Sequence, residues 1–569
     1  MFSTRVTSAA RHACRAGMAA RNAPVMRGFA SKTAARASPE KPPAEKVSTP
    51  QKPAAAAKVA EKATTTSAST PEKTPAPAAS SEQTASAPAE KTAASPNQDK
   101  AAPAAAAASP EKASSEKPTP VKAAPVVSPS RSHKVVVVGG GSAGLAISHQ
   151  LLNTGKFSQD DIAVVDPATW HHYQPGWTLV GGGVKNKEDL KRPLESLVDP
   201  KLKLYQQSVS TFNPEENTIE LGNGDKLGYE QLVVAPGIKI DYGSIKGLPE
   251  ALANPNSLVS TIYGYETCDK VFRTIQRLEK GNAIFTQPAG VIKCAGAPQK
   301  VMWLALDFWK RAGLYDPSNT ASPIKISFAT GIPAMFGVPK YSAKLEELRK
   351  ERGVEGLFQH DLVAVDGNTA VFARPDGNQI TKPFDLLHVV PKMGPHAFVK
   401  NSPLADAAGF VEVDQATTRH TKYHNVWSAG DASSMPTSKT AAAVTSQAPV
   451  LVSNLLRAIE GKEPEPKYDG YTSCPLTTEY GKVLLAEFKY GGVPKETFGD
   501  LIGFDQAVPR RAFYYLKRDF FPWVYYNNMV KGTWAGPSGR EFRYGNCEWS
   551  TLFQRQMIAL LLLFVLKWS

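Results

Sequence analysis

The stretch that decides the fold is HKVVVVGGGSAGLAISHQLL, residues 133–152. It begins with a continuous apolar run, Val135 to Val138, of the kind found in parallel strands that are buried on both faces. Gly139, Gly141 and Gly144 follow in GxGxxG spacing and lead into an apolar helical pattern. Such glycines permit a tight turn and let a pyrophosphate approach the N-terminus of a helix. The stretch therefore predicts a strand, a phosphate-binding turn and a helix.

A second buried strand, DIAVVDP, ends at Asp166, which lies 22 residues after Gly144. An acid at this place accepts hydrogen bonds from ribose hydroxyls, so the ordered set predicts a dinucleotide site. Two later strands end in Ala235-Pro236-Gly237 and in Gly430-Asp431. The Gly-Asp ending resembles the flavoprotein disulfide reductase superfamily, in which the aspartate binds the flavin ribityl chain. This resemblance implies that the dinucleotide is FAD.

A second dinucleotide-binding domain is inserted into the first in that superfamily. The matching segments here are NAIFTQP, AGVIKCAGAPQK, the helical VMWLALDFWKRAGL and the strand IKISFATG. The order of strand, helix and strand is kept, but the glycine fingerprint is absent and no acid ends the strand from Ile326 to Ala329. We therefore predict a dinucleotide fold that has lost its dinucleotide, with Cys294 in the place of a phosphate loop.

The ends of the chain differ from this ordered middle. The net charge is +14, and the first 39 residues hold seven Lys/Arg and no acid, which is typical of a mitochondrial presequence. Residues 32–130 are mostly Ala, Pro, Lys, Glu, Ser and Thr, so they cannot bury enough apolar surface to fold. No basic stripe interleaved with aromatic residues is present, which argues against a nucleic-acid partner.

The predicted fold class is α/β, with two Rossmann-like dinucleotide-binding domains and a C-terminal membrane-contact region. The predicted parts are a presequence over 1–31, a low-complexity linker over 32–130, the FAD domain over 131–255 and 385–460, the inserted domain over 256–384, and a C-terminal region with a redox cysteine and the membrane contact over 461–569.

Several segments together resemble the mitochondrial sulfide:quinone oxidoreductase family, from about residue 133 to residue 537. They are VVVVGGGSAG, HHYQPGWTLVGGG, GNAIFTQPAGVIKCAGAPQKVMWL, MFGVPKY, SPLADAAGF, AGDASSMPTSKTAAAV and KYDGYTSCPL. The resemblance implies a flavoenzyme that oxidises sulfide and reduces ubiquinone on the matrix side of the inner mitochondrial membrane. It also implies that the sulfur leaves as a persulfide on a small acceptor such as glutathione, sulfite or cyanide.

The resemblance places the two redox cysteines at Cys294 and Cys474. Lys293 and Lys300 flank Cys294 and are candidates for the positive field that keeps a leaving thiol ionised, although Lys293 can diverge from its neighbour and Lys300 can instead cap a helix. Cys268 lies in a helical pattern and is predicted to be structural. Cys14 belongs to the presequence and Cys547 to an unrecognised tail.

The FAD-binding residues that the motif and the resemblance imply lie in four groups along the chain. They are Gly139, Gly141, Ser142, Ala143 and Gly144, then Asp166 and Gln174, then Val209, and finally Asp431 with Ala441, Ala442, Ala443 and Val444. Lys439 precedes the last helix, where a cation can stabilise an anionic reduced ring or simply remain in solvent. His171 and His172 suit local hydrogen bonds better than a metal, and no metal site is predicted.

The segment RAFYYLKRDFFPWVYYNNMVKGTWAG has nine aromatic residues between Phe513 and Trp534, with Lys517, Arg518 and Lys531 among them. Aromatic rings with cations suit the interfacial layer of a bilayer, and the alternative is a helix packed on the protein body. On the first view, deleting residues 511–569 should leave a soluble flavoprotein that sulfide still reduces. The ten-residue run MIALLLLFVL is too short to span a bilayer.

Two other functions share parts of this pattern. A type II NADH:quinone oxidoreductase has the same fold but needs the second glycine fingerprint and needs neither Cys294 nor Cys474. A flavoprotein without catalytic activity, such as a redox sensor, would hold a flavin that sulfide cannot reduce at a useful rate. The response of the flavin to sulfide and to NADH separates the three functions.

Overall fold

The structure is a computed structural model, and it describes residues 131–536. The predicted presequence, the linker, Cys14, Cys547 and the apolar run over 557–566 lie outside the described residues.

The strands are numbered in chain order. The first nine are β1 Arg131–Val138, β2 Ile162–Val165, β3 Trp170–His172, β4 Lys191–Pro193, β5 Lys203–Tyr205, β6 Val209–Asn213, β7 Thr218–Leu221, β8 Lys226–Val234 and β9 Lys239–Asp241. The next eight are β10 Val259–Ser260, β11 Gly281–Gln287, β12 Ile324–Thr330, β13 Glu355–Phe358, β14 Asp361–Asp366, β15 Thr369–Ala373, β16 Gln379–Pro383 and β17 Leu386–His388. The last five are β18 Lys392–Gly394, β19 Val426–Ser428, β20 Thr472–Glu479, β21 Lys482–Lys489 and β22 Val493–Pro494.

The α-helices are numbered in the same way. They are α1 Ser142–Asn153, α2 Trp177–Gly181, α3 Leu248–Ala253, α4 Cys268–Arg277, α5 Ala297–Arg311, α6 Pro339–Glu351, α7 Ala397–Lys400, α8 Ala441–Ile459, α9 Thr497–Ile502, α10 Arg511–Tyr515 and α11 Phe521–Val524. Two π-helical turns, Leu516–Phe520 and Tyr525–Met529, follow α10 and α11.

The first sheet forms around the apolar run that opens the ordered chain. Its strand order is β5-β2-β1-β8-β7-β6, and β19 also pairs with β8. The strands β5, β2, β1, β8 and β19 pair in parallel, with Val135 opposite Ile162, whereas β6 and β7 are antiparallel. Val135 to Val138 are at most 2% exposed, as a central parallel strand requires. The α/β fold class is confirmed.

The second sheet has the order β10-β17-β11-β12-β13, and every pairing in it is parallel. Its strands lie in sequence between β8 and β19 of the first sheet, which is the order that an inserted domain would have. The strand β17 begins at Leu386, just beyond the predicted boundary at residue 384. It belongs with this sheet because Leu387 pairs with both Val259 and Ile284. The antiparallel strands β14, β15 and β16 form a separate small sheet.

The C-terminal part begins with the antiparallel strands β20, β21 and β22 and continues into a helical run over residues 511–529. Phe513, Tyr525, Met529 and Trp534 of this part are all less than 9% exposed. Most of the aromatic segment therefore packs on the protein body, and Trp523 is its large apolar side chain that remains exposed, at 49%. Within residues 131–536, no helix has both the length and the apolar character needed to cross a bilayer.

Candidate active site

The two predicted redox cysteines meet although 180 positions separate them in sequence. The Sγ atoms of Cys294 and Cys474 lie 3.7 Å apart, and both are free thiols. A disulfide bond is about 2.05 Å long, so a small movement or one bridging atom would join the two sulfurs. Cys474 lies in β20, whose neighbour is α5, and Cys294 lies in the loop that leads into α5.

The loop that carries Cys294 is held in an uncommon conformation. Cys294 has φ of +52°, and its amide donates a hydrogen bond of 2.8 Å to the carbonyl of Lys439. The hydroxyl of Tyr263 reaches the carbonyl oxygens of Lys293 and Cys294, at 3.1 and 3.3 Å. A left-handed backbone is costly for a residue with a side chain and persists where its surroundings fix it.

A glycine makes the approach of the two sulfurs possible. A Cβ atom on Gly296 would lie 2.5 Å from the Sγ of Cys474 and 2.6 Å from a methyl group of Leu476. Any side chain at position 296 would therefore push β20 away from the loop. Packing, and not backbone conformation, requires the glycine in the KCAGAPQK motif. The φ of Gly296 is −88°, which any residue can adopt.

Lys300 supplies the charge at the sulfur pair. Its side chain is 2% exposed, and its ammonium donates to the Sγ of Cys294 over 3.1 Å. The hydrogen bond from Cys474 and the charge of Lys300 hold the pKa of Cys294 well below its ordinary value, even though burial opposes them. The same sulfur contact, together with burial, raises the pKa of Cys474. These opposite directions favour the thiolate form at Cys294 over that at Cys474.

A third lysine, Lys517, also lies at this site, which the sequence pattern did not predict. Lys517, in the first π-helical turn, is 4% exposed and interacts electrostatically with Lys300 and with both sulfurs. Burial and then the charge of Lys300 lower the pKa of Lys517 to about 7. From the aromatic residues around it, the sequence predicted that Lys517 lies at a membrane interface. The residue spacing of a regular helix does not predict that its side chain points inward.

Lys293 points away from the sulfur of its neighbour. Its ammonium donates a 2.7 Å hydrogen bond to the Oε1 atom of Gln174 and lies 5.2 Å from the ring centre of Trp177. Burial lowers the pKa of Lys293 to about 8, against the opposing charge of Asp431. Lys293 therefore lies beside two predicted cofactor-binding residues, Gln174 and Asp431, and the two lysines that flank Cys294 have different surroundings.

The glycine turn has the shape that a pyrophosphate needs. Gly139 has φ of +105°, and a Cβ atom there would lie 2.4 Å from the carbonyl oxygen of Ala235. A Cβ atom on Gly144 would lie 1.7 Å from the carbonyl oxygen of Gly139, so only glycine allows α1 to pack this closely. Around Gly141 a Cβ atom would meet nothing within 4 Å. The turn is thus packed at two glycines and open at the third, where a phosphate would approach.

Asp166 follows β2 and holds this turn while keeping acceptor capacity. Its Oδ2 atom accepts from the amide of Gly140 at 2.6 Å, and its Oδ1 atom accepts from the amide of Ala168 at 2.8 Å. A carboxylate has about four acceptor sites, so two remain for ribose hydroxyls. These residues fit the adenosine end of FAD.

The N-terminus of α8 forms the other predicted part of the cofactor site. The side chain of Thr440 caps this helix by accepting from the amide of Ala443 at 3.0 Å, and Ala441, Ala442, Ala443 and Val444 form its first turn. The Thr440 hydroxyl also lies 2.8 Å from that of Thr472, which begins the strand of Cys474. Burial raises the pKa of Asp431, which precedes this helix, against the charges of Lys439 and Lys293. A helix N-terminus favours nearby electron-rich groups, which suits a reduced flavin.

Comparisons with known proteins agree with this geometry. Residues 133–281 match the family described as pyridine nucleotide-disulphide oxidoreductase. The mitochondrial sulfide:quinone oxidoreductase of Schizosaccharomyces pombe is 48% identical over 431 residues, which cover 72% of this chain and 93% of that protein. The Dictyostelium discoideum protein of the same name is 44% identical over 407 residues, covering 71% of this chain and 87% of that protein.

The chain belongs to the mitochondrial sulfide:quinone oxidoreductase family. It is an FAD-dependent oxidoreductase, and the glycine turn with Asp166 is the part of its fold that fits the cofactor. The X-ray structure of the sulfide:quinone oxidoreductase from the bacterium Aquifex aeolicus aligns with a TM-score of 0.57 and 18% identity, over 69% of this chain and 92% of that one. At that identity the alignment shows a shared fold.

Lys439 and Val209 stay predictions as cofactor-binding residues, and Cys268 stays a prediction as a structural cysteine. Lys439 is buried and donates to the carbonyl of Ser433 over 3.0 Å, with its ammonium 4.5 Å from the ring centre of Phe410. Val209 begins β6 with a buried side chain. Cys268 is buried in α4, where burial raises its pKa to about 12, as a structural thiol requires.

Proposed function

We propose that this chain oxidises hydrogen sulfide to a persulfide on its own cysteine and delivers two electrons through FAD to ubiquinone. The observation that carries the proposal is the pair Cys294 and Cys474, whose Sγ atoms lie 3.7 Å apart, with the ammonium of Lys300 3.1 Å from the Sγ of Cys294. Family membership supplies the context, since the relatives from S. pombe and D. discoideum are both named sulfide:quinone oxidoreductases. The resting pair is joined directly or through an extra sulfur.

The opposite pKa shifts of the two thiols indicate which sulfur sulfide attacks. In thiol–disulfide exchange, the sulfur with the lower pKa leaves faster. The pKa of Cys294 is lowered and that of Cys474 is raised. Sulfide (HS⁻) therefore attacks the sulfur on Cys474, the bridging bond breaks with both electrons going to Cys294, and Cys474 carries the persulfide. Lys300 stabilises the thiolate that leaves.

The sulfur leaves in a second exchange. A small thiolate attacks the outer sulfur of the Cys474 persulfide, takes it as a new persulfide, and frees the thiolate of Cys474. Glutathione is the proposed thiol, and sulfite or cyanide would accept the same sulfur. FAD would accept the two electrons that the cysteine pair releases as the bridge re-forms. The enzyme then returns to its starting state once quinone has removed those electrons.

The proposed place of reaction is the matrix side of the inner mitochondrial membrane. The exposed ring of Trp523, with the half-buried rings of Phe520 and Phe521 beside it, supports a contact with the bilayer interface. Only this edge of the aromatic segment takes part, because the remaining rings pack on the body. The domain bounds, including the inserted domain over 256–384, are part of the same proposal.

The function is tested by anaerobic titration of the purified holoenzyme with sulfide while the flavin spectrum is recorded, followed by addition of a soluble quinone. One equivalent of sulfide, with glutathione present as the sulfur acceptor, should reduce the flavin, and the quinone should reoxidise it. Cys294→Ser and Cys474→Ser should each lose most turnover, whereas Cys268→Ser, the matched control, should keep it. Near-normal sulfide:quinone turnover in both site variants would exclude this function for the cysteine pair.

A further inference from the structure

The phosphate-binding turn is held by a residue that comes from the far end of the described chain. Tyr525 lies in the second π-helical turn, 383 positions after Ser142, and it is 2% exposed. Its hydroxyl oxygen lies 2.7 Å from the Oγ of Ser142 and 2.7 Å from the Nε2 of His171. His171 in turn reaches the carbonyl of Gly140 through Nδ1, at 3.0 Å.

The chemistry of these groups fixes the direction of every hydrogen bond. The carbonyl of Gly140 can only accept, so Nδ1 of His171 carries the proton and donates. Burial lowers the pKa of His171 to about 4, which keeps the ring neutral at physiological pH. Nε2 is then an acceptor, and the Tyr525 hydroxyl donates a hydrogen bond to it. The Tyr525 oxygen accepts, in its turn, from the hydroxyl of Ser142.

This chain of hydrogen bonds completes a clamp on the two peptide units that flank Gly140. Asp166 accepts from the amide of Gly140, and His171 donates to its carbonyl. With the side chain of Ser142 also held by Tyr525, the backbone on both sides of Gly141 is restrained. Gly141 is the open position of the turn, so its orientation determines how the neighbouring amides meet a pyrophosphate.

We propose that Tyr525 is a positioning residue for FAD, which fixes the phosphate-binding turn through Ser142 and His171. The C-terminal helical run is then part of the cofactor site as well as a packing element. This role follows from the turn and its contacts and does not depend on which electron donor or acceptor the enzyme uses.

The test compares Tyr525→Phe with Tyr526→Phe in the purified holoenzyme. Tyr526 is the matched control, because its hydroxyl donates a 2.8 Å hydrogen bond to the carbonyl of Leu190, and Tyr526→Phe keeps the contact of its ring with His171. The Tyr525 variant should release FAD roughly tenfold faster, as the loss of about 1.4 kcal/mol of hydrogen bonding predicts. Its bound pyrophosphate should also show shifted ³¹P resonances, which a distant packing defect would not move.

Ser142→Ala breaks the same contact from the other side and leaves the helical core intact. It should also speed FAD release, and the double variant with Tyr525→Phe should lose less than the sum of the two single effects. Circular dichroism of each variant confirms folding. The proposal fails if Tyr525→Phe retains FAD as tightly as Tyr526→Phe with unchanged ³¹P resonances, or if the two site variants are fully additive.

Discussion

At the level of single residues, the site depends on where three lysines point, two of which, Lys300 and Lys517, are buried. Lys300 contacts Cys294 directly, Lys517 interacts from the C-terminal helical run, and Lys293 points toward Gln174. The hydrogen bond between the two thiols lowers the pKa of Cys294 and raises that of Cys474, and the charge of Lys300 adds to the lowering at Cys294. In the proposed mechanism, this asymmetry makes Cys294 the leaving group and Cys474 the carrier of the persulfide.

Replacing Lys300 with methionine should raise the pKa of Cys294. The ammonium favours the thiolate, so its loss should shift the titration upward by at least about one pKa unit, or about 1.4 kcal/mol. The measurement is the pH dependence of alkylation in the reduced enzyme, together with the long-wavelength thiolate–flavin band at neutral pH. Lys310→Met is the control, because Lys310 is exposed on the same helix. An unchanged titration in Lys300→Met would contradict the assigned role.

Replacing Gly296 with alanine should separate the two sulfurs. The new methyl group would meet Cys474 and Leu476 at 2.5 and 2.6 Å, so β20 or the cysteine loop must move. The bridge between the cysteines should then form slowly, measured as the loss of free thiols under mild oxidation. Gly337→Ala is the matched control, since a Cβ atom there meets nothing within 4 Å. Equal rates of bridge formation in the two variants would show that the packing argument is wrong.

The residues of the site differ in how readily the sequence reveals them. The glycine turn and Asp166 are local, because GxGxxG and the strand-end acid lie within one strand-helix-strand unit. Cys474 is identified by the resemblance alone, since only the fold brings it to Cys294. Lys517 lies within a π-helical turn, and the spacing rules for a regular α-helix do not predict its inward position.

At the level of elements, the C-terminal helical run packs against the protein body on one side and is exposed to solvent on the other. The sequence predicted a membrane contact over the whole aromatic segment, with body packing as the alternative. Phe513 and Tyr525 are buried, whereas Trp523 is 49% exposed. Deleting residues 511–569 would therefore remove core side chains together with any membrane contact, so a soluble, sulfide-reducible product is not expected.

Substitution at the exposed edge is the sharper test of membrane contact. Trp523→Ser should reduce sedimentation with vesicles that contain anionic lipid, because an aromatic anchor is lost from the interface. Reduction of the flavin by sulfide in detergent should stay unchanged. Val493→Ser is the control, since Val493 has the same 49% exposure on β22. Equal vesicle binding by both variants would remove Trp523 from the proposed contact.

Replacing Lys517 with methionine should change how stability depends on pH. The pKa of Lys517 is about 7 in the folded protein and 10.5 as its ordinary value, so the unfolded state binds more protons between these limits. The free energy of unfolding should therefore rise with pH across this window, and Lys517→Met should lack that slope. Thermal unfolding midpoints from pH 7 to pH 10 measure it. Parallel curves for the two proteins would contradict a depressed pKa at Lys517.

At the level of the whole molecule, the second sheet keeps the strand order of a dinucleotide-binding domain while its first loop carries Cys294. The strands β11 and β12 and the helix α5 lie where the sequence predicted them. Their apolar runs and lengths are strong local signals, whereas β17 is only three residues long and has no such signal. Short strands are defined by their partners rather than by their own pattern.

The loss of the second glycine fingerprint predicts selectivity for the electron donor. Sulfide should bleach the flavin of the holoenzyme, and NADH at a similar excess should leave its spectrum unchanged. Anaerobic spectra recorded after each addition measure this difference. Rapid bleaching by NADH would favour the type II NADH:quinone oxidoreductase alternative, and bleaching by neither donor would favour a flavoprotein without catalytic activity.

The π-helical turns help to determine which side chains of the C-terminal helical run face the protein body. Eight positions separate Lys517 from Tyr525, and a regular α-helix turning about 100° per residue would place them about 80° apart. A π-turn holds more residues per turn, so each residue rotates the chain less, and both side chains come to face the body. Removing one residue between them would turn everything downstream by about 100°. A lysine at the sulfurs and a tyrosine at the phosphate turn thus require a fixed number of intervening residues, although almost any helix-forming residue could occupy the exposed positions between them.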